Sequence, residues 1–236
     1  MGFLTIVPAF GFIAVVENDR FGGTCLNRGC IPSKMFVHTA DVAPDVRDSE
    51  RFGVHAHVDE IDWPAIRERV FGRIDPIHER AVHFRQSTGI DVLLGDARFL
   101  APGVLSVDGR EVRSDRFVLA AGSRPRIPDI PGIATVAVHT SDTIMRLERL
   151  PTSMLVIGGG SIAAEMSHVF GALGTQVTIV QRGRALLANH DPEISDRFTS
   201  AYRSRFDLLL DSHVERLEPS AAGAMATVRS GDGSTR

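Results

Sequence analysis

Apolar positions along the chain fall into short runs and helical stripes, separated by glycine, proline and acidic residues. Residues 12–17 form an apolar run closing on Glu17, the pattern of a buried parallel strand. After Cys30 the pattern turns helical. Pro32 suits a first turn, and Met35, Phe36, Thr39 and Ala40 recur at helical spacing, which puts Cys30 at or just before a helix N-terminus. A second helix is predicted with Asp62 as cap, Pro64 in its first turn and a stripe of Ile66, Val70, Ile74 and Ile77. Gly72 and Pro76 are expected to bend it. Beyond Gly89 come strand-like runs at Ile90–Leu94, 97–100 and Val104–Val107, and Phe117–Ala120 reads as a further buried strand ending in Ala121, Gly122 and Ser123.

The Pro-rich stretch 125–131 reads as a connector, and from Met154 the pattern is that of a full βαβ unit. An apolar strand leads into Gly158, Gly159 and Gly160, a helical run follows to Leu173, and a second strand, Gln176–Val180, arrives at the spacing of a dinucleotide fold. Gly158 permits the tight turn, Gly160 lets backbone approach a pyrophosphate, and Ala163 allows close helix–sheet packing. The exposed amides of the helix start, around Ile162, are then placed for phosphate. An NAD binder usually carries an acid at the end of the second strand; this chain has Gln181 and Arg182, which favours NADPH, the alternative for Arg182 being a solvated surface charge. Two nucleotide-binding units are thus expected, a degenerate one in 1–150 and a more complete one in 151–236, with a boundary near Leu150 and an α/β fold class.

Composition narrows the partners. Hydrophobic residues are 43% and charged residues 23% of 236, and a formal charge of -3 gives no electrostatic reason to expect nucleic acid or an anionic membrane, so a small organic substrate is the default. The uncharged stretch 2–16 lacks a basic leader and a cleavage pattern, contains Pro8 and is too short to span a bilayer, so a cytoplasmic location is expected.

Only two cysteines occur, Cys25 and Cys30. A bridge closing so short a loop removes little entropy from the unfolded chain, so a staple is not their purpose, and redox chemistry or a metal is the better reading. Aligned peptide dipoles at a helix start stabilise a thiolate at Cys30, and Cys25, in the glycine-containing turn, is expected to be the more accessible sulfur. The alternative is a pair of inert buried thiols.

The run from Gly22, Gly23, Thr24 and Cys25 through Leu26, Asn27, Arg28 and Gly29 to Cys30, Ile31, Pro32, Ser33 and Lys34 resembles the redox-active signature of the flavin-dependent pyridine nucleotide–disulfide oxidoreductases, the class that includes glutathione reductase and lipoamide dehydrogenase. The resemblance extends from about Phe12 to about Leu210. Within the class it is strongest to the branch that reduces oxidised mycothiol, through residues 71–77, 121–125 and 139–146. It implies an incomplete FAD-binding Rossmann-like domain followed by an incomplete NAD(P)-binding Rossmann domain, with FAD and NADPH as cofactors. Electrons would pass from NADPH through the flavin to a Cys25–Cys30 disulfide, after which Cys25 attacks a small-molecule disulfide. Lys34 resembles the lysine that sits near the flavin and pairs with a glutamate, here Glu165. Glu17 resembles the acid on the adenosine ribose of FAD; Gly22, Gly23 and Thr24 line the pyrophosphate approach, Gly95 and Ala97 the adenine, and Gly122 and Ser123 close the flavin domain.

The chain departs from the class in three places. Residues 1–11 contain only Gly2 and Gly11, so the first phosphate loop of the FAD site is expected to be missing. The second flavin segment and the interface domain, through which full-length relatives are expected to homodimerise and supply a catalytic His–Glu pair, find no match, and the nine histidines read as surface or helix residues. The position of a second arginine after Arg182 is Ala188, for which Arg184 partly compensates. The 236 residues alone are accordingly expected to hold flavin weakly and not to turn over. The competing readings are another member of the class and a non-catalytic nucleotide-binding remnant.

Overall fold

Among the residues that the computed structural model describes, 3–6, 12–221 and 223–236, strands and helices come in runs and alternate over 153–209. In order they are β1 (Phe3–Ile6), β2 (Ile13–Glu17), α1 (Gly23–Arg28), α2 (Cys30–Arg47), α3 (Trp63–Ile74), α4 (Ile77–Ser87), β3 (Ile90–Leu94), β4 (Ala97–Ala101), β5 (Val104–Val107), β6 (Arg110–Arg113) and β7 (Phe117–Ala120). There follow β8 (Ser153–Ile157), α5 (Ser161–Ala172), β9 (Gln176–Val180), α6 (Pro192–Arg203), β10 (Asp207–Leu209), β11 (Ser212–Ser220) and β12 (Gly223–Ser230). Gly2 and Gly11, on which the reading of the first phosphate loop rests, lie outside the described residues. No helix among the described residues is long and apolar enough to cross a membrane.

Contacts gather the chain into two units that interleave in sequence, Met1–Pro32 with Arg67–Arg126, and Ser33–Ile66 with Ile127–Arg236. In the first, a four-stranded sheet runs β3-β2-β1-β7, with β2 parallel to β3 and β1 antiparallel to both its neighbours. A second, antiparallel sheet runs β4-β5-β6. Val16, Leu105 and Val107 form their common core, with Ala14, Leu93, Val112 and Phe117 packed against it. The apolar run of β7 is not buried as its sequence implies. It is the last strand of its sheet, and Leu119 is 70% exposed. An apolar run is compatible with two covered faces but cannot itself supply the cover.

The helix that starts at Asp62 is capped as expected, Asp62 Oδ1 accepting the Ala65 amide at 2.9 Å, and Val70 and Ile74 are buried. It breaks instead of bending. Pro76 has no amide to donate and its ring excludes the carbonyl four residues back, so α3 ends at Ile74 and α4 starts afresh at Ile77, while Gly72 passes within α3 without interrupting it.

The second unit carries the βαβ pattern at the expected positions. β8 pairs parallel with β9, Ser153 opposite Gln176 through Ile157 opposite Val180, with α5 as crossover, and β10 extends the sheet on the other side of β9. Unread in the sequence of this unit were α6, capped by Asp191 with Pro192 in its first turn, β10, and the β11–β12 hairpin. The hairpin supplies Val214, Leu217 and Val228 to a core shared with Ile130 and Val180. A separate aromatic cluster fixes the start of α3, where the Trp63 ring lies 5.3 Å from both Phe36 and Phe170 and its Nε1 donates to Leu147 O at 2.7 Å.

Candidate functional site

Cys25 lies in the short helix α1 and not in an open turn, while Cys30 is the first residue of α2. The two are not joined in a disulfide and both are exposed, so accessibility does not distinguish them. Their protons do. The Cys25 thiol hydrogen-bonds to Cys30, and this above all pushes its pKa up from the ordinary thiol range. The arrangement favours the protonated form of the Cys25 thiol.

The turn that carries the pair is held by residues that sequence reasoning left unassigned. Asn27 is buried, and its Nδ2 donates to Phe21 O at 3.1 Å and Gly23 O at 2.9 Å, tying α1 to the chain that enters it. Arg28 pairs with Asp19. The break between α3 and α4 presents Asp75 to Arg20 at 2.5 Å and His78, whose Nδ1 accepts the Phe21 amide at 3.1 Å. Phe21 itself is fully buried, with the Arg85 guanidinium 4.2 Å from its ring. His78 is therefore no idle surface histidine. Asp75 lies within the residues 71–77 that carry the resemblance, whereas His78 stands just past them.

Of the residues assigned to FAD, Glu17 ends β2 and is 3% exposed. Burial pushes its carboxyl above the usual carboxylate range, with nearby backbone hydrogen bonding pulling the other way. Oε1 accepts the Asp19 amide at 2.9 Å, and the capacity that remains suits hydroxyl donors such as those of a ribose. The Gly95 amide donates to Glu17 O at 2.9 Å, and Asn18 Nδ2 to Asp96 Oδ1 at 2.8 Å, so the turn leading to Ala97 is tied to the same strand end. Gly22, Gly23 and Thr24 open α1, and Gly122 and Ser123 follow β7 in exposed chain. These residues fit the adenosine end of a dinucleotide.

In the second unit, Gly158 adopts φ +116° and its amide donates to Val180 O at 2.9 Å, closing the turn after β8. Nothing lies within 4 Å of where a β carbon would stand on Gly158 or Gly160, so the backbone face is open. Gly159, which the sequence reading passed over, is the one packed down: a β carbon there would lie 2.8 Å from Leu186 Cδ2. Ala164 and Ser167 of α5 are buried and Ala163 only half-buried, so the helix packs with a face turned one residue from that expected. Ile162 is exposed in the first turn, where amides have no intrahelical acceptor. Open amides at a helix start fit a pyrophosphate. Arg182 and Arg184 are exposed just beyond β9. Lys34 Nζ, on α2, donates to Glu165 Oε1 of α5 at 2.5 Å, across 131 residues of sequence.

The sequence profile described as pyridine nucleotide-disulphide oxidoreductase matches residues 9–235. Mycothione reductase of Mycobacterium tuberculosis is 42% identical over 232 residues, which make up 94% of this chain and 50% of that protein. Dihydrolipoyl dehydrogenase of Chlamydia pneumoniae is 31% identical over 220 residues, 91% of this chain and 47% of that protein. Among solved structures, the HOCl-induced flavoprotein disulfide reductase RclA from Escherichia coli aligns with a TM-score of 0.76 at 27% identity, over 94% of this chain and 48% of that one. The chain spans about half the length of the curated relatives it matches. With the match running through both the cysteine pair and the glycine loop, the chain belongs to the pyridine nucleotide-disulphide oxidoreductase family.

Proposed function

We propose that the protein takes part in NADPH- and FAD-dependent reduction of a low-molecular-weight thiol disulfide of the mycothione type. The observation that carries this reading is the hydrogen bond from Cys25 to Cys30 at the start of α2. The 42% identity to mycothione reductase, against 31% to dihydrolipoyl dehydrogenase, supports the choice of substrate class.

Bound FAD would carry two electrons from the nicotinamide to a Cys25–Cys30 disulfide, leaving the dithiol. The chain's own residues do the rest. Glu17 accepts from the adenosine ribose of FAD, Gly95 and Ala97 flank its adenine, Gly22, Gly23 and Thr24 admit its pyrophosphate, and Gly122 and Ser123 close that domain. The Gly158–Gly160 backbone and the amides around Ile162 bind the NADPH pyrophosphate, and Arg182 takes the 2′-phosphate. Lys34, held by Glu165, keeps a cation one helical turn past Cys30.

Cys25 loses its proton and its sulfur attacks the substrate disulfide, forming a mixed disulfide and releasing one thiolate, which takes up that proton. Cys30 then gives up its proton and attacks the Cys25 sulfur, restoring the Cys25–Cys30 disulfide and expelling the second thiolate, which takes up the Cys30 proton. One dithiol is oxidised for each substrate disulfide reduced.

The test is a single turnover. The pre-reduced 236-residue chain is mixed with oxidised mycothiol, glutathione disulfide or lipoamide, and released thiol is counted. Two thiols per chain, fastest from oxidised mycothiol, are expected, with Cys30→Ser stopping at one thiol and a mixed disulfide. Release from none of the three would overturn the reading, and faster reaction of lipoamide would replace the substrate class.

A further inference from the structure

Three polar contacts run along one edge of α2 and α5. Lys34 Nζ meets Glu165 Oε1 at 2.5 Å, Asp41 Oδ1 lies 2.7 Å from His168 Nε2, and Arg47 Nη1 donates to Ala172 O at 2.8 Å. On α5 the partners fall at 165, 168 and 172, which is one face of a helix. The first contact, an ion pair, is open to solvent, with the Lys34 and Glu165 side chains 62% and 37% exposed. A pair so placed contributes little in water and does not by itself hold two long side chains in one geometry. Yet of the 26 Lys and Arg residues in the chain, Lys34 is the single lysine, so a compact ammonium stands where arginine serves everywhere else.

The middle contact is better enclosed. The His168 side chain is 19% exposed, and its ring is bonded at both nitrogens, Nδ1 lying 2.8 Å from Arg205 Nη2. A guanidinium only donates, so Nδ1 must accept and Nε2–H must donate to Asp41, which fixes one neutral tautomer. Arg205 is in turn held over the rings of Tyr202 and Phe206, and Tyr202 Oη donates to Ala164 O of α5 at 2.8 Å. His168 is thereby anchored from the end of α6 on one side and reaches α2 on the other. Asp41, His168 and Arg205 line a shallow groove together with Asp45, one turn after Asp41.

We infer that His168, oriented by Arg205 and bonded to Asp41, is a positioning residue that sets α2 on α5 so that the Lys34 ammonium meets Glu165. Its bearing on catalysis rests on the proposed role of Lys34 and Glu165; the positioning itself does not.

The single lysine makes this measurable without flavin or substrate. Reductive methylation with carbon-13 keeps the charge of Lys34 and gives one side-chain NMR signal beside that of the amino terminus. Glu165→Gln defines the signal of the unpaired ammonium. His168→Leu is expected to move the wild-type signal most of the way to that position, whereas His168→Gln, whose amide can still donate to Asp41, is expected to leave it near wild type. Asp41→Ala, on an exposed side chain, is the second variant should His168→Leu fold poorly, and is expected to shift the signal in the same direction. Signals in His168→Leu and Asp41→Ala that stay at the wild-type position while Glu165→Gln moves would overturn the inference. So would a Glu165→Gln signal identical to wild type, since the pair would then not exist in solution. Neither result bears on thiol release in the single-turnover assay, which tests the proposed function separately.

Discussion

At the scale of single residues, the site combines groups whose protons are displaced for identifiable reasons. Glu17 is held above its usual range by burial, so its neutral form is favoured in the folded chain. A carboxyl raised in this way contributes stability that is complete below its unfolded pKa and is lost as pH rises through the folded value. Glu17→Gln is therefore expected to raise the unfolding midpoint of the ligand-free chain at neutral pH, with the gain vanishing in acid, as followed by circular dichroism. The same change is expected to weaken flavin binding. Cys25 is raised by its bond to Cys30, so Cys30→Ala should move the pH profile of Cys25 alkylation to lower pH, read by mass spectrometry of iodoacetamide adducts. Asn27→Ala leaves two carbonyls of the 21–23 turn without their donor and is expected to cost about 2–3 kcal/mol in urea unfolding. The cysteines were legible because their spacing and the following helical pattern are local. Asn27 stood within the recognisable signature, but that its amide binds back to the turn is a matter of fold. Asp75 and His78 reach residues 55 and 57 positions away, a distance at which no periodicity speaks.

At the scale of elements, the βαβ unit was readable down to its second strand because three independent signals coincide there: an apolar run, a glycine turn and a helical stripe. The failures are equally physical. Pro76 was visible, but whether a proline bends a helix or ends it depends on what the freed chain can bind, and here Asp75 and His78 find partners on the 20–21 turn. β7 reads as buried by composition although little covers it. The hairpin of β11 and β12 was missed because Pro219 and a bulge between Val214 and Arg216 disturb the alternation on which strand reading depends. The aromatic cluster offers a direct test of packing. Trp63→Ala removes a ring shared by Phe36 and Phe170 and is expected to cost about 3–5 kcal/mol in denaturant unfolding. A loss below one-third of that would mean that the cluster is loosely packed in solution.

At the scale of the whole molecule, the chain is two units interleaved in sequence, one with the cysteine pair and the residues proposed for the adenosine of FAD, the other with the 158–160 glycine turn and most of α2. The division by role, 1–150 for flavin and 151–236 for pyridine nucleotide, is proposed on other grounds than compactness and does not coincide with it, because α2 starts at Cys30 in one unit and continues into the other. If the second unit binds NADPH as proposed, Arg182→Ala should weaken NADPH about tenfold in a fluorescence titration and leave NADH unchanged. Everything in the proposed function nevertheless depends on one chemical property of this chain, that Cys25 and Cys30 cycle between dithiol and disulfide. The most direct measurement is a redox titration of the 236-residue chain in thiol–disulfide buffers, quenched with alkylating reagent and read by intact mass. The account predicts one two-electron transition, with both adducts lost together on oxidation and a peptide linking Cys25 to Cys30, and no such transition in Cys25→Ser or Cys30→Ser. Two thiols that remain free and alkylate independently at every potential would contradict it.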